Sequence, residues 1–274
     1  AGFPIYYDRA GKYYRFPDGY SLKQIELTGD ELNTLFVSSQ YFGLLGNSFR
    51  QAFEDTKKKI SHAAGDRTRQ KLKSPIIPFL IKAAPVEDSP RIKDFFDRIV
   101  ECYAWRVVAE LDYETMWSGK RRVREVGPYG LVHYDGRLFV VGYCYYRKEI
   151  RIFSFEGIHS VKTGTISYKI PDSFDLERHL EKALGVDYGN GDTYRVKIRF
   201  TTKAVKMIRH RKWHESQKVS YEPDGSAILS FTLGGQEEIL QWIMSWTNSA
   251  EILEPDWLRE EFINRLDLMR EIYA

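Results

Sequence analysis

The stretch Ser89-Pro90-Arg-Ile92-Lys-Asp-Phe95-Phe96-Asp-Arg-Ile99-Val100-Glu-Cys102-Tyr103 decides the fold, because the chain changes its period immediately after it. A serine N-cap with proline at the first helical position opens a helix. Ile92, Phe95, Phe96, Ile99, Val100 and Tyr103 then recur at i, i+3, i+4, i+7, i+8 and i+11, which is one apolar helical face. From Arg106 the period is two. Strands are expected at Arg106–Tyr113, Arg121–Val126, Gly130–Tyr134, Leu138–Cys144, Glu149–Phe155 and Ile158–Thr163. Ser118-Gly119 and Asp135-Gly136 supply hairpin turns. One helix followed by five or six short antiparallel strands reads as a small closed or nearly closed barrel.

Upstream, Pro4, Gly11, Pro17 and Gly19 among tyrosines predict extended chain or a hairpin. Thr28-Gly-Asp-Glu31 has capping-box spacing and starts a helix with Leu32, Leu35, Phe36 and Ser39 on one face. A second helix is expected from Asn47 to Ala64, with Phe49, Ala52, Phe53 and Ile60 as its stripe. Arg67–Lys73 and Pro75–Pro85 read as a connector. Downstream, Phe174–Leu184 predicts a short helix ending at Gly185. A strand at Val196–Thr201, a helix at Lys203–Arg211 and a hairpin of Lys218–Glu222 with Ala227–Leu233 follow. A helix at Glu237–Thr247, a strand at Glu251–Glu254 and a final helix from Trp257 complete the chain. That order, β-α-β-β-α-β, is a split βαβ. The class is α+β, divided as an extended start and helical linker (1–87), the barrel (88–170), a connector helix (171–189) and the split βαβ domain (190–274).

Composition narrows the function. The 274 residues suffice for about two domains. An apolar fraction of 43% with 29% charged residues excludes a disordered, fibrous or disulfide-scaffold chain. The longest apolar run, Ile76 to Ile81, is broken by Pro78, so no membrane span is expected. No signal peptide is expected from the opening residues, and two cysteines, Cys102 and Cys144, fit a reducing cytoplasm. The net charge of +3 says less than its distribution: Arg195–Lys218 carries nine Lys/Arg against Glu215, whereas Val219 to the end carries three basic against eleven acidic residues. With 18 Tyr, 16 Phe and 6 Trp, basic groups interleave with rings, as a surface that stacks bases and holds phosphates requires.

Leu111-Asp112-Tyr113, Arg124-Glu-Val-Gly-Pro128-Tyr-Gly-Leu131, Gly136-Arg-Leu-Phe-Val-Val-Gly-Tyr143 and Glu149-Ile-Arg151-Ile-Phe153 resemble the WYL domain of bacterial transcription regulators. Phe174-Asp-Leu, Trp213-His-Glu-Ser-Gln217, Asp224-Gly225 and Ala250-Glu-Ile-Leu-Glu-Pro255 resemble the WCX extension that follows it. Gly2-Phe-Pro-Ile5 is similar to the segment after the winged helix-turn-helix of these regulators. The resemblance implies a small antiparallel SH3/Sm-like β-barrel and a C-terminal ferredoxin-like domain. It further implies a sensor that binds single-stranded DNA or a nucleotide and controls a winged helix-turn-helix that these 274 residues lack. Double-stranded operator DNA would be read by that absent part, a homodimer would match operators with two half-sites, and likeness to damage-responsive members points to single-stranded DNA. Two departures stand out. The namesake Trp-Tyr-Leu is Leu138-Phe139-Val140 here, and Ser154 and Gly157 occupy positions where the family often has arginine.

The residues make their own case for the ligand. Arg122 and Arg124 share a strand face, Arg147 and Arg151 lie near or in a neighbouring strand, and each guanidinium fork suits a pair of phosphate oxygens. Tyr113, Phe139, Tyr143 and Tyr145 add rings for stacking. For Phe139 and Tyr143 the barrel core is an equal reading, and solvated surface arginines are common. A second basic patch, Arg209, Arg211, Lys212, Trp213 and His214, either extends an anionic channel or packs at a domain or dimer contact. His210 and His214 at i and i+4 mimic a zinc pair, but Arg211 stands where the metalloprotease glutamate would, and the surrounding cations repel a metal. No nucleophile elbow, Walker loop or dinucleotide fingerprint occurs, and Cys102 lacks a histidine partner in sequence. A non-enzymatic regulator without cofactor or metal is therefore expected. A protein-docking module is its main rival, and an enzyme acting on nucleotides the weaker one.

Overall fold

The computed structural model describes residues 6–8, 11–15, 26–72, 90–116, 118–189 and 191–274. The chain forms two compact units, residues 1–93 and 94–274. Gly2–Ile5, the serine cap at 89 and the stretch 75–85 lie outside the described residues.

In the first unit, β1 (Tyr6–Asp8) and β2 (Tyr13–Arg15) form an antiparallel ladder in which Tyr7 and Tyr14 meet edge to face at 5.1 Å. α1 (Gly29–Leu44) starts at Thr28 with the expected capping box: the Glu31 backbone N–H donates to Thr28 Oγ1, and the Thr28 N–H donates to Glu31 Oε2. α2 (Asn47–Ala63) follows after Gly46, whose φ of 106° lies outside the range most side chains tolerate. Phe42 and Phe53 stack at 5.1 Å across this helical hairpin. The segment expected to be a connector is helical instead: α3 spans Asp66–Leu72. Its Arg69 guanidinium donates to the Ser61 and Ala64 carbonyls, so this turn adds donors at the C-terminal end of α2.

α4 (Pro90–Trp105) leads into the second unit. Its buried stripe is Ile92, Phe95, Ile99 and Cys102, whereas Val100 and Tyr103, expected on the apolar face, are exposed. Five strands follow: β3 (Val107–Glu114), β4 (Arg121–Tyr134), β5 (Arg137–Cys144), β6 (Glu149–Ser154) and β7 (Ile158–Ser167). They pair antiparallel in the order β6-β5-β4-β3-β7. The two strands expected at 121–126 and 130–134 are one, because Pro128 sits at a register shift between Pro128 and Gly130. A residue without an N–H is tolerated there because the ladder slips. Asp135 and Gly136 take positive φ of 47° and 72°, the geometry of a tight hairpin.

Gly142 on β5 is needed for close approach. A Cβ there would stand 2.5 Å from the Gly127 carbonyl oxygen and 2.7 Å from Val126 Cγ1 on β4. Gly142→Ala is accordingly expected to lower stability by about 1–3 kcal/mol, measured as a fall in the urea midpoint at unchanged slope.

The helix expected over Phe174–Leu184 shrinks to α5 (Leu176–Leu180), capped by the Asp175 side chain. The tail then runs β8 (Tyr194–Phe200), α6 (Thr202–Ile208), β9 (Lys218–Tyr221), β10 (Ala227–Leu233), α7 (Glu237–Met244), β11 (Ala250–Glu254) and α8 (Asp256–Tyr273). Its sheet has the order β11-β8-β10-β9, antiparallel throughout. Val196, Ile198 and Phe200 alternate inward from β8 with Leu229, Phe231 and Leu233 from β10, and Ile239, Leu240 and Ile243 of α7 cover them. Period-two and period-3.6 burial thus meet in one apolar core. Among the described residues, no helix is long and apolar enough to cross a membrane.

Candidate functional site

A cavity of about 1210 Å³ lies in the second unit between the five-stranded sheet and the tail domain. β4, β5 and β6 supply Arg124, Arg137, Phe139, Arg151 and Ser154, while α7 and the segment before β9 supply Lys212, Trp213, Gln241 and Trp242. The connector 184–189 also lines it. Tyr188 donates its hydroxyl to the Ile150 carbonyl at 2.9 Å and so ties the connector to β6, an edge strand. Glu238 at the start of α7 accepts from the Gly185 and Val186 N–H groups at 2.8 and 2.9 Å. Burial pushes this carboxyl upward in pKa against those donors.

The acidic groups around the cavity are largely committed. Glu237 is gripped by Arg265 at 2.6 and 2.9 Å, which holds its carboxyl below the usual range. Asp187 accepts from Gly189 N–H. Among the basic groups, Arg137 pairs with Glu156 at 3.2 Å, Arg151 with Glu149 at 3.0 Å, and Lys212 with Glu215. Arg124 and Arg147 differ: among the described residues neither has a carboxylate within ion-pair distance. Among the described residues, Arg124 Nη1 is buried with no hydrogen-bond partner. Arg122, Arg124 and Arg147 instead gather over one ring, that of Tyr146, at 4.6, 4.3 and 5.6 Å. Guanidiniums without a carboxylate partner leave an excess of positive charge beside the cavity.

The residues singled out from sequence divide accordingly. Tyr113, Arg124, Phe139, Arg147, Arg151, Lys212 and Trp213 line the cavity together. Tyr113 meets Phe153 edge to face at 5.1 Å, and burial pushes its phenol pKa up, keeping the hydroxyl protonated. Phe139 is at once a lining residue and almost fully buried, with the Arg137 guanidinium over its ring at 5.2 Å. Arg122 reaches the Tyr146 ring but does not line the cavity. Tyr143 packs instead with Tyr145, Ile150 and Phe174 around buried Val108, Tyr129 and Tyr168. Arg209 and Arg211 are exposed outside the cavity, the former hydrogen-bonded to His210.

His214 is buried, with Nδ1 against Ser216 Oγ at 2.8 Å, and it lines a smaller space of about 230 Å³ beside Lys212 and Trp213. Among the described residues no group of three or more His, Cys, Asp or Glu is placed to hold a metal ion. Sequence reasoning passed over the lining residues Arg137, Gln241 and Trp242, and Tyr146, which does not line the cavity but lies under the arginines. The signal for Tyr146 was its place between two arginine-bearing segments; α7 offered none.

Residues 94–163 match the WYL domain family and residues 192–270 the WCX domain family. Protein PafB of Mycobacterium leprae (strain TN) is 23% identical over 254 residues, covering 91% of this chain and 73% of that protein. Among solved structures, proteasome accessory factor B/C (PafBC) of Arthrobacter aurescens aligns at 17% identity and a TM-score of 0.36 over 97% of this chain. The chain spans 38% of that relative's length. A CRISPR Cas-related protein aligns at 13% identity and a TM-score of 0.47, over 93% of this chain and 88% of its own. The chain thus carries a WYL domain at 94–163 followed by a WCX domain at 192–270, and it is homologous to PafB.

Proposed function

We propose that the WYL and WCX domains form the effector-sensing and dimerisation region of a transcription regulator, with single-stranded nucleic acid as the effector. The five-stranded antiparallel sheet is read as an SH3/Sm-like barrel, and the β11-β8-β10-β9 order with β-α-β-β-α-β connectivity as ferredoxin-like. The observation that carries the reading is the set of guanidiniums lining a cavity shared by both domains, of which Arg124 and Arg147 have no carboxylate partner among the described residues. Phosphates satisfy the guanidinium forks, and Tyr113, Trp213 and Trp242 offer stacking surfaces on two walls. A ligand held by both domains binds best to one arrangement of them, and so shifts the population of conformers offered to a separate DNA-reading domain. Homodimerisation and a cytoplasmic setting belong to the same reading.

Fluorescence anisotropy with a short labelled single strand tests it. Three or four phosphate contacts predict a slope of log K against log salt of about −2 to −3, at roughly 0.7 per contact. No binding, or binding indifferent to salt, sinks the reading. It would favour a docking module instead, for which the exposed Leu266, Leu268, Met269, Ile272 and Tyr273 at the end of α8 provide a surface.

A further inference from the structure

We propose that β9, the open edge of the tail-domain sheet, pairs antiparallel with the same strand of a second copy of this chain, so that two four-stranded sheets join across a two-fold axis. This rests on the reading of the chain as a dimerising region and names the surface that joins the copies.

The order β11-β8-β10-β9 leaves two edges. β11 carries a bulge between Ile252 and Glu254, which spoils it as a template for pairing. β9 (Lys218–Tyr221) pairs with β10 without a register shift, contains no proline and is exposed at every residue. The Glu222 N–H donates to the Ser226 carbonyl at 2.9 Å. Alternation along an antiparallel ladder then turns the backbone groups of Ser220 and Lys218 toward β10. Those of Val219 and Tyr221 face outward, where among the described residues no strand meets them. The side chains agree. Val219 and Tyr221 stand opposite Leu229 and Ala227, on the face that these two bury in the core, yet they are 37% and 62% exposed. The apolar side of the sheet continues past its helical cover.

One register satisfies backbone and side chains together. With Ser220 on the two-fold axis, Val219 lies opposite the partner's Tyr221 and exchanges N–H and C=O with it, and symmetry repeats the exchange. The same pairs set an aromatic ring against a β-branched side chain, a favourable cross-strand combination. Lys218 then faces the partner's Glu222 in a pair that is not hydrogen-bonded, where side chains come closest. Among the described residues neither charge has an ion-pair partner in its own chain. Sliding the register by two residues keeps the outward hydrogen bonds but sets one of these charges, Lys218 or Glu222, against the partner's Ser220. Lysine on an edge strand commonly blocks pairing; here Glu222, at the symmetric position, answers it. The strand is therefore self-complementary, as an isologous two-fold contact requires.

Sedimentation equilibrium of the full chain over a concentration series tests the pairing, and the wild type should dimerise. Lys218→Glu and Glu222→Lys each set like charges opposite one another at both symmetric positions. Each should raise the dimer dissociation constant at least about tenfold. Mixing the two variants should restore wild-type association, because each chain then meets the opposite charge. Val219→Pro removes an outward N–H and should weaken the dimer while keeping the circular dichroism spectrum. A wild-type dimer that all three substitutions leave unchanged, or a mixture no tighter than either variant alone, overturns the β9 contact and leaves the dimerisation reading intact. A wild type that stays monomeric overturns both and frees the edge for a strand of another protein.

Discussion

Phe200→Ala is expected to cost about 3–5 kcal/mol of stability and, in the fraction that stays folded, to weaken strand binding. Phe200 is fully buried on β8, and its ring lies 5.8 Å from Trp242 and 5.2 Å from Trp246, both edge to face. Trp242 also meets Trp213 at 5.3 Å and Phe231 at 5.7 Å. The two tryptophans that line the tail-domain side of the cavity, Trp213 and Trp242, are thus held from behind by this core. Truncating Phe200 removes the transfer free energy of the ring and opens a void on which Trp242 can relax inward. A shifted Trp242 no longer presents its face to a base. Urea unfolding gives the first quantity, and anisotropy well below the unfolding midpoint gives the second. If stability falls as expected while affinity stays at the wild-type value, the tryptophan wall is structural and the ligand touches only the barrel side.

Much of this architecture is legible in the sequence for local reasons. The capping box at Thr28 and Glu31 and the turn at Asp135-Gly136 are each specified by a few neighbouring residues, and each forms as expected. The errors have physical causes as well. Val100 and Tyr103 fit the apolar spacing of α4, but a helix against a small core buries only the narrower stripe through Ile92, Phe95, Ile99 and Cys102. Pro128 looks like a strand break because proline cannot donate. The bulge beside it is a tertiary accommodation that local sequence does not announce.

The site was half visible. Strand alternation places Arg122 and Arg124 on one face, and both do reach the same ring. Alternation also groups Phe139 with Tyr143, yet of the two only Phe139 lines the cavity, and Tyr143 packs against the cluster of Tyr129, Tyr168 and Phe174. Tyr146 sits in a turn, where alternation has no meaning. Trp242 and Gln241 come from a helix far along the chain, and their position opposite the arginines follows from domain packing that no spacing rule contains. Trp213 meets Trp242 edge to face and also lines the cavity, while His214 is hydrogen-bonded to Ser216.

Arg124→Ala should reduce strand affinity by about ten- to hundredfold, the range for losing a charge-assisted hydrogen bond of roughly 1.5–3 kcal/mol, without lowering the melting temperature. The two halves of that expectation have separate causes. In the free protein Arg124 makes no ion pair among the described residues, one of its nitrogens is buried without a partner, and two like charges share its neighbourhood. Removing it relieves repulsion and an unsatisfied donor, so stability holds or rises. In the complex the same group meets a phosphate, and its loss should also flatten the salt slope by about 0.7. Arg151→Ala provides the contrast: its guanidinium is already paired with Glu149 at 3.0 Å, both partners are well exposed, and a ligand gains less by recruiting it. Its effect should therefore be only a few-fold. Circular dichroism melts and anisotropy at two salt concentrations distinguish the cases. A structural arginine would lose melting temperature in step with affinity, and that pattern at Arg124 would remove the main support for an anionic ligand in this cavity.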